Sequence, residues 1–302
     1  MFFSRKYLFI FLALVSFGTV FSIYATLTDD DKQRADFEQK YHVFSLPIPD
    51  AVDFAGEKIS LKDYDNKERF DRELLTNVYW QSQTLLLLKR ANRYFPTIEK
   101  ILAEQGIPAD MKYVAMIESG FLNVASPAGA AGFWQFLDKT AKQYGLIINE
   151  EVDQRYHLEK ATLAACAYFK ESYAEFKDWS LVSASYNMGI DGLRKQMQNQ
   201  YGNNYFDLHL NAETSRYMFR VLAMKEIAEH PVRYGFYLSQ SHLYNHIPTQ
   251  KISIESSIVD LAKWSIDKGT NYKKMKLLNP WLKKNTLTLK EGETFEISLP
   301  LN

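Results

Sequence analysis

Between residues 77 and 229 the apolar side chains of this chain recur at helical spacing, and no convincing strand-like alternation is found before about residue 245. That property confines the central part to an all-α architecture. Leu85, Leu86, Leu88 and Ala91 begin the series, and Tyr94, Ile98, Ile101 and Leu102 continue it. Residues 106–110, Gly-Ile-Pro-Ala-Asp, stop one helix and start another. Pro108 is tolerated in a first helical turn, and Asp110 favours the positive end of a helix. The helix that follows carries Met111, Val114, Ala115 and Glu118. Further helices are predicted over residues 138–144, 158–176, 181–186 and 215–229, with Pro231 ending the last. With 46% hydrophobic and 15% aromatic residues, the 302-residue chain can build a sizeable core, as one large domain or two smaller ones.

The two ends depart from this pattern. Arg5 and Lys6 precede an apolar run over residues 7–26, and Asp29, Asp30 and Asp31 follow it. A positive start, an apolar stretch and a polar exit predict an export signal over residues 1–26. The run of about 20 residues also suffices to span a bilayer, so the segment is either removed or kept as an inner-membrane anchor. Ile23-Tyr24-Ala25 makes a poor cleavage site, because Ile23 stands where a small residue is expected. No cysteine follows the run to carry a lipid. In either case Arg5 and Lys6 stay cytoplasmic and the rest is expected in the periplasm or cell envelope. Residues 27–75 are polar, contain Pro47 and Pro49, and read as an N-terminal connecting segment leading to an all-α domain over residues 76–240. Residues 246–302 read as a small α+β unit. Residues 251–255 alternate, helices are predicted over 258–268 and 272–278, and Phe295, Ile297 and Leu299 alternate again. Gly269 and Asn279-Pro280 close the two helices, giving a β-α-α-β order.

Composition excludes some functions. The 36 basic and 36 acidic residues balance, which gives no support for a nucleic-acid partner. Cys166 is the only cysteine, so no intrachain disulfide forms, and its apolar helical surroundings suit a small buried hydrophobe. Six scattered His residues form no His-Glu-x-x-His pattern. Neither a metal nor another cofactor is expected.

The candidate chemistry lies in residues 117–136 and 185–189. Met111, Val114 and Ala115 precede Glu118 by seven, four and three positions and share its helical face. A carboxyl group beside apolar neighbours favours its protonated form, which suits a general acid for glycosidic cleavage. On the helix alone a solvated Glu, or one paired with a lysine, reads as well. Residues 126–132, Ser-Pro-Ala-Gly-Ala-Ala-Gly, exclude a helix interior and suit a loop whose backbone approaches a ligand closely. Phe133, Trp134 and Phe136 flank Gln135, whose amide both donates and accepts. Aromatic faces there suit sugar rings, but taken alone Phe133 and Phe136 read better as core. Tyr186 and Asn187 end a helix, where they orient a carboxyl or acetamido group or simply cap. Hydrolytic glycosidases use two carboxylates. None of Asp138, Glu150, Glu151, Asp153 and Asp191 has a setting like that of Glu118: Asp138 reads as an N-cap, and Glu150, Glu151 and Asp153 read as a solvated acidic loop. Ser119 has no evident His partner, which argues against a Ser nucleophile.

Taken together, Glu118-Ser119, the Gly132 to Gln135 Gly-x-x-Gln and the Tyr186-Asn187 pair resemble the goose-lysozyme-like domain of lytic murein transglycosylases. The pattern at Ile117-Glu118-Ser119-Gly120-Phe121, at residues 130–135 and at Glu213-Thr214-x-x-Tyr217 is most similar to the membrane-bound lytic murein transglycosylase D group. The resemblance covers about residues 76–235 and, weakly, the tail. It implies a mainly α, lysozyme-like catalytic fold with Glu118 as sole catalytic acid and base. It also implies that Ser119, Gly132, Gln135, Tyr186 and Asn187 serve substrate binding, Ser119 by supporting Glu118, with peptidoglycan glycan strands as the partner. Ser185 stands where the family usually has Ala. The tail resembles a LysM module, with Glu255-Ser256-Ser257 in place of the usual Gly-Asp-Thr opening. The expected reaction cleaves the β-1,4 bond between N-acetylmuramic acid and N-acetylglucosamine and leaves 1,6-anhydromuramic ends. A hydrolytic muramidase on the same fold and a non-catalytic cell-wall binding protein are the competing readings.

Overall fold

The computed structural model describes residues 29–40 and 42–301, so the export segment expected at residues 1–26 lies outside the described residues. The chain divides into two units, Met1–Ser45 and Leu46–Asn302. In the first, helix α1 (Asp29–Lys40) presents exposed side chains over residues 31–39 and an Arg34–Glu38 pair one turn apart, at 3.1 Å. Among the described residues no helix is long and apolar enough to cross a membrane.

The second unit begins earlier than the helical periodicity suggests. Strands β1 (Ala51–Phe54) and β2 (Glu57–Ser60) form an antiparallel hairpin with Val52 opposite Ile59. Ala55 and Gly56 turn it with positive φ angles of 55° and 82°, as the tight hairpin turns require. Val52, Phe54, Ile59 and Leu61 are buried in the main core. Helix α2 (Tyr64–Tyr79) follows, capped by Asp63, whose carboxylate accepts from the Asp65 and Asn66 amides. Residues 46–75 are thus built into the core, which corrects their reading as a connector. Two four-residue strands offer too short an alternation to stand out, and α2 hides its few core positions (Phe70, Leu74, Val78) among charged ones.

The remaining helices of the α domain are α3 (Gln81–Glu104), α4 (Lys112–Ser119), α5 (Asp138–Gln143), α6 (Leu158–Phe176), α7 (Trp179–Met188), α8 (Ile190–Gln200) and α9 (Thr214–Glu229). Helix α8 has a single fully buried residue, Leu193, and was not foreseen. Helix α9 is buried on most of its circumference, with Tyr217, Met218, Phe219, Val221, Leu222, Met224 and Ile227 inside. A helix buried on most sides belongs at the centre of a fold, and α9 packs against α2, α4 and α7. Arg216 on α9 donates to the buried Glu73 of α2 at 2.7 Å. Cys166 on α6 is fully buried, and burial pushes its thiol up to about 11, so it is an inert packing residue.

The C-terminal unit has the expected β-α-α-β order. Strand β3 (Thr249–Ile254) pairs antiparallel with β4 (Phe295–Pro300), Ile252 opposite Ile297, and helices α10 (Leu261–Asp267) and α11 (Tyr272–Leu278) lie between them in sequence. Its core of Ile254, Leu261, Met275, Trp281, Leu282, Leu287, Phe295, Ile297 and Leu299 takes in one residue of the α domain, Val152.

Candidate active site

Helix α4 ends one residue after Glu118, at Ser119, because Gly120 takes the left-handed conformation (φ 57°) and returns its amide to the Met116 carbonyl at 3.0 Å. Val114 and Ala115 are wholly buried, so the carboxyl of Glu118 stands at the rim of the core. Tyr217 of α9, itself buried, donates its hydroxyl to Glu118 Oε1 at 2.5 Å. Arg220, one turn further, donates to the Ile117 carbonyl at 3.3 Å. Desolvation drives the Glu118 pKa up, the Tyr217 hydrogen bond and the Arg220 charge draw it down, and the Glu213 charge raises it. The balance falls at about 7. A carboxyl poised there exists in both protonation states near neutral pH, as acid–base catalysis wants.

Residues 124–136 form a loop whose carbonyls are tied one after another. Ser119 Oγ donates to Phe133 O at 2.8 Å, and the Tyr186 hydroxyl to Trp134 O at 2.7 Å. Gln135 Nε2 reaches Gly132 O at 2.9 Å and Val124 O at 3.1 Å. Arg155 Nη1 reaches Gly129 O at 2.9 Å and Phe136 O at 3.1 Å. These bonds hold Gln135 at φ 49°, a left-handed backbone that non-glycine residues seldom adopt. Gly132 (φ 78°) is required for a second reason: a Cβ there would lie 1.8 Å from Arg155 O.

These placements refine the expected roles. Ser119 is buried, and its hydroxyl also accepts from the Phe121 amide at 3.0 Å, so it holds the loop beside Glu118. Gly132 is buried as a backbone crossing point. Phe133, Trp134 and Phe136 are core residues, 3%, 0% and 4% exposed, and the Trp134 indole donates to Thr162 Oγ1 at 2.9 Å. The core reading, which the pattern already favours for Phe133 and Phe136, therefore holds for all three rings. Tyr186 packs its ring among Trp134, Phe136, Tyr168 and Phe169, with centroids 5.1 to 6.3 Å away. Asn187 accepts from Thr214 Oγ1 at 2.7 Å and donates to Glu213 Oε1 at 3.2 Å. Ser185 is buried in a hydroxyl cluster, 2.7 Å from both Ser172 Oγ and Val182 O.

The carboxylates also sort differently. Asp138 is the first residue of α5 and pairs with Lys142 at 2.8 Å, while Leu137 occupies the cap position. Asp153 is buried and forms an ion pair with Arg155, so it is not part of a solvated loop. Glu213, Tyr217, Arg220 and Arg155 were not foreseen as site residues. Glu213 caps α9, and Tyr217 and Arg220 follow it at i+4 and i+7 on the same face, a helical spacing that marks them as neighbours. Among the described residues no group of three His, Cys, Asp or Glu side chains gathers as a metal site.

Parts of the chain are similar to known proteins. A Transglycosylase SLT domain model matches residues 96–208, and a model of the soluble lytic transglycosylase C-terminal LysM-like domain matches residues 250–302. Membrane-bound lytic murein transglycosylase D of Escherichia coli K12 is 27% identical over 250 residues, 80% of this chain and 54% of the relative. The same protein from Escherichia coli O6:H1 matches to the same extent. The chain spans about half the length of these curated relatives. A crystal structure of the 70 kDa soluble lytic transglycosylase SLT70 from Escherichia coli aligns with a TM-score of 0.42 at 18% identity, over 61% of this chain and 34% of that one. The chain thus carries an SLT transglycosylase domain followed by a LysM-like C-terminal domain, and is homologous to membrane-bound lytic murein transglycosylase D.

Proposed function

We propose that this protein is a peptidoglycan lytic transglycosylase that cleaves the β-1,4 bond between N-acetylmuramic acid and N-acetylglucosamine. The observation that carries the reading is Glu118: a desolvated carboxyl with a pKa of about 7, held by Tyr217 beside a loop tied carbonyl by carbonyl. The SLT domain match over residues 96–208 supports the same reaction class.

In this reading Glu118 Oε1 stays on the Tyr217 hydroxyl, and protonated Oε2 gives its proton to the glycosidic oxygen. The bond from the anomeric carbon to that oxygen breaks, and the N-acetylglucosamine leaves with its 4-hydroxyl. The 2-acetamido carbonyl of the muramic sugar supports the developing positive charge. Glu118, now ionised, takes the proton of the C6 hydroxyl as that oxygen closes on the anomeric carbon. The product is a 1,6-anhydro ring, no water is consumed, and Glu118 ends protonated. Gln135, Tyr186 and Asn187 line the glycan cleft, and Ser119 and Gly132 shape the loop that presents Gln135. Export to the cell envelope completes the reading, with residues 1–26 as a removable signal or a membrane anchor.

A hydrolytic reading has one observation in its favour: the Glu213 carboxylate is close enough to raise the Glu118 pKa, and a second carboxylate is what water activation uses. Digesting purified peptidoglycan and weighing the released muropeptides separates the two. Anhydro ends are expected; reducing ends would assign hydrolysis. Glu118→Gln is expected to lower solubilisation by at least about a thousandfold, the scale on which paired acid and base steps act. Unchanged solubilisation would remove Glu118 from the chemistry.

A further inference from the structure

The C-terminal unit is joined to the α domain through the segment that supports the catalytic loop. Residues 151–153 pair with residues 281–283: Asp153 N donates to Trp281 O at 2.8 Å, Lys283 N to Glu151 O at 2.6 Å, and Val152 bridges Leu282. Val152 is 2% exposed and sits in the C-terminal core. The Glu151 carboxylate accepts from the Thr288 amide at 2.7 Å and from the Thr286 hydroxyl. Two residues on, Arg155 grips Asp153 with two bonds, Nε to Oδ1 at 3.0 Å and Nη2 to Oδ2 at 2.7 Å. The side chains of Asp153 and Arg155 are only 9% and 11% exposed. The remaining arm of the same guanidinium, Nη1, holds Gly129 O and Phe136 O, the two sides of the catalytic loop, and the Arg155 carbonyl presses on Gly132.

We infer that the LysM-like unit buttresses the active site, and that Arg155 is the positioning residue that transmits its docking to the loop bearing Gln135. This inference rests on the proposed transglycosylase reading for its effect on turnover, and on geometry alone for its effect on the loop. The planar fork of Arg155 engages a carboxylate and two carbonyls in fixed directions, which lysine does not reproduce. With the C-terminal unit in place, Asp153 is fixed from both sides by the Trp281 carbonyl and Arg155, so the loop is held by a continuous chain of bonds from Leu282 to Phe136.

Hydrogen exchange of the full-length chain tests the loop directly. The Ala131 and Gly132 amides are bonded to Phe136 O and Val124 O at 3.0 and 3.1 Å and should exchange slowly. Thr286→Val and Thr288→Ala lie wholly in the C-terminal unit. Combined, they are expected to speed exchange of residues 129–136 about tenfold, while exchange in α9 is unchanged. Arg155→Lys should do the same and should abolish any further response to the threonine pair, because coupled sites do not add. Lys273→Ala, an exposed position on α11, is the control and should move nothing. In the enzymatic assay, Arg155→Lys should raise KM for glycan strands about tenfold and leave the pH profile set by Glu118 in place. Threonine variants that loosen the C-terminal unit yet leave loop exchange at the wild-type rate would overturn the inference. An accelerated loop without an anhydro product would instead count against the proposed reaction.

Discussion

At the scale of single residues, Glu118 depends on a partner 99 positions away in sequence. The Tyr217 hydrogen bond favours the carboxylate, so Tyr217→Phe should let Glu118 keep its proton to higher pH. The alkaline limb of the pH–rate profile should move upward, and the plateau should drop about tenfold as Oε1 loses its fixed orientation. A limb that stays in place would show that another group holds Glu118. Burial also makes Glu118 a stability element. Its pKa is about 7 in the fold against 4.5 for the free group. Between those values the unfolded chain has released a proton that the fold retains, so stability falls as pH rises through that window. Glu118→Gln should therefore gain stability above pH 7, up to about 3 kcal/mol less solvent screening, and gain nothing below pH 4.5. Urea unfolding on both sides of the window measures the difference. Glu118 as a candidate acid was legible, because Met111, Val114 and Ala115 share its face; its contact with Tyr217 was not.

At the scale of elements, the loop of residues 124–136 shows what local pattern leaves open. Pro127, Gly129 and Gly132 announce a loop, since none suits a helix interior. The pattern favours a core for Phe133 and Phe136 and leaves Trp134 open, because aromatic rings serve both. The Trp134 bond to Thr162 and the tight ring of neighbours about Tyr186 place them inside. The glycine requirement at position 132 comes from the backbone that crosses it at Arg155. Gly132→Ala meets both a positive φ and a 1.8 Å approach to a carbonyl, so it should cost about 3 kcal/mol or more. Thermal unfolding against the wild type checks this; a loss below about 1 kcal/mol would mean that the crossing relaxes easily.

At the scale of the whole molecule, the C-terminal unit and the α domain share a core residue, Val152, and a set of backbone bonds. Removing residues 246–302 should expose Val152 and leave Glu151 without Thr286 and Thr288, lowering Tm by roughly 5 °C or more. Calorimetry should show one cooperative transition for the full chain; two independent transitions would mean that the units are merely tethered. By itself the sequence determined the helical centre and the β-α-α-β unit and singled out Glu118 and the loop after it as candidates, because each follows from periodicity, turn residues and local neighbours. It missed the short hairpin, α2 and α8, whose periodic signal is brief or buried among charges. Only the tertiary structure decided that Tyr217, Arg220 and Glu213 surround Glu118, and that Arg155 joins residues 151–153 to the loop of residues 124–136. Those contacts are chosen by how α9 and residues 151–155 pack. Packing across long sequence separations is set by the shape of the whole core, which local spacing does not encode.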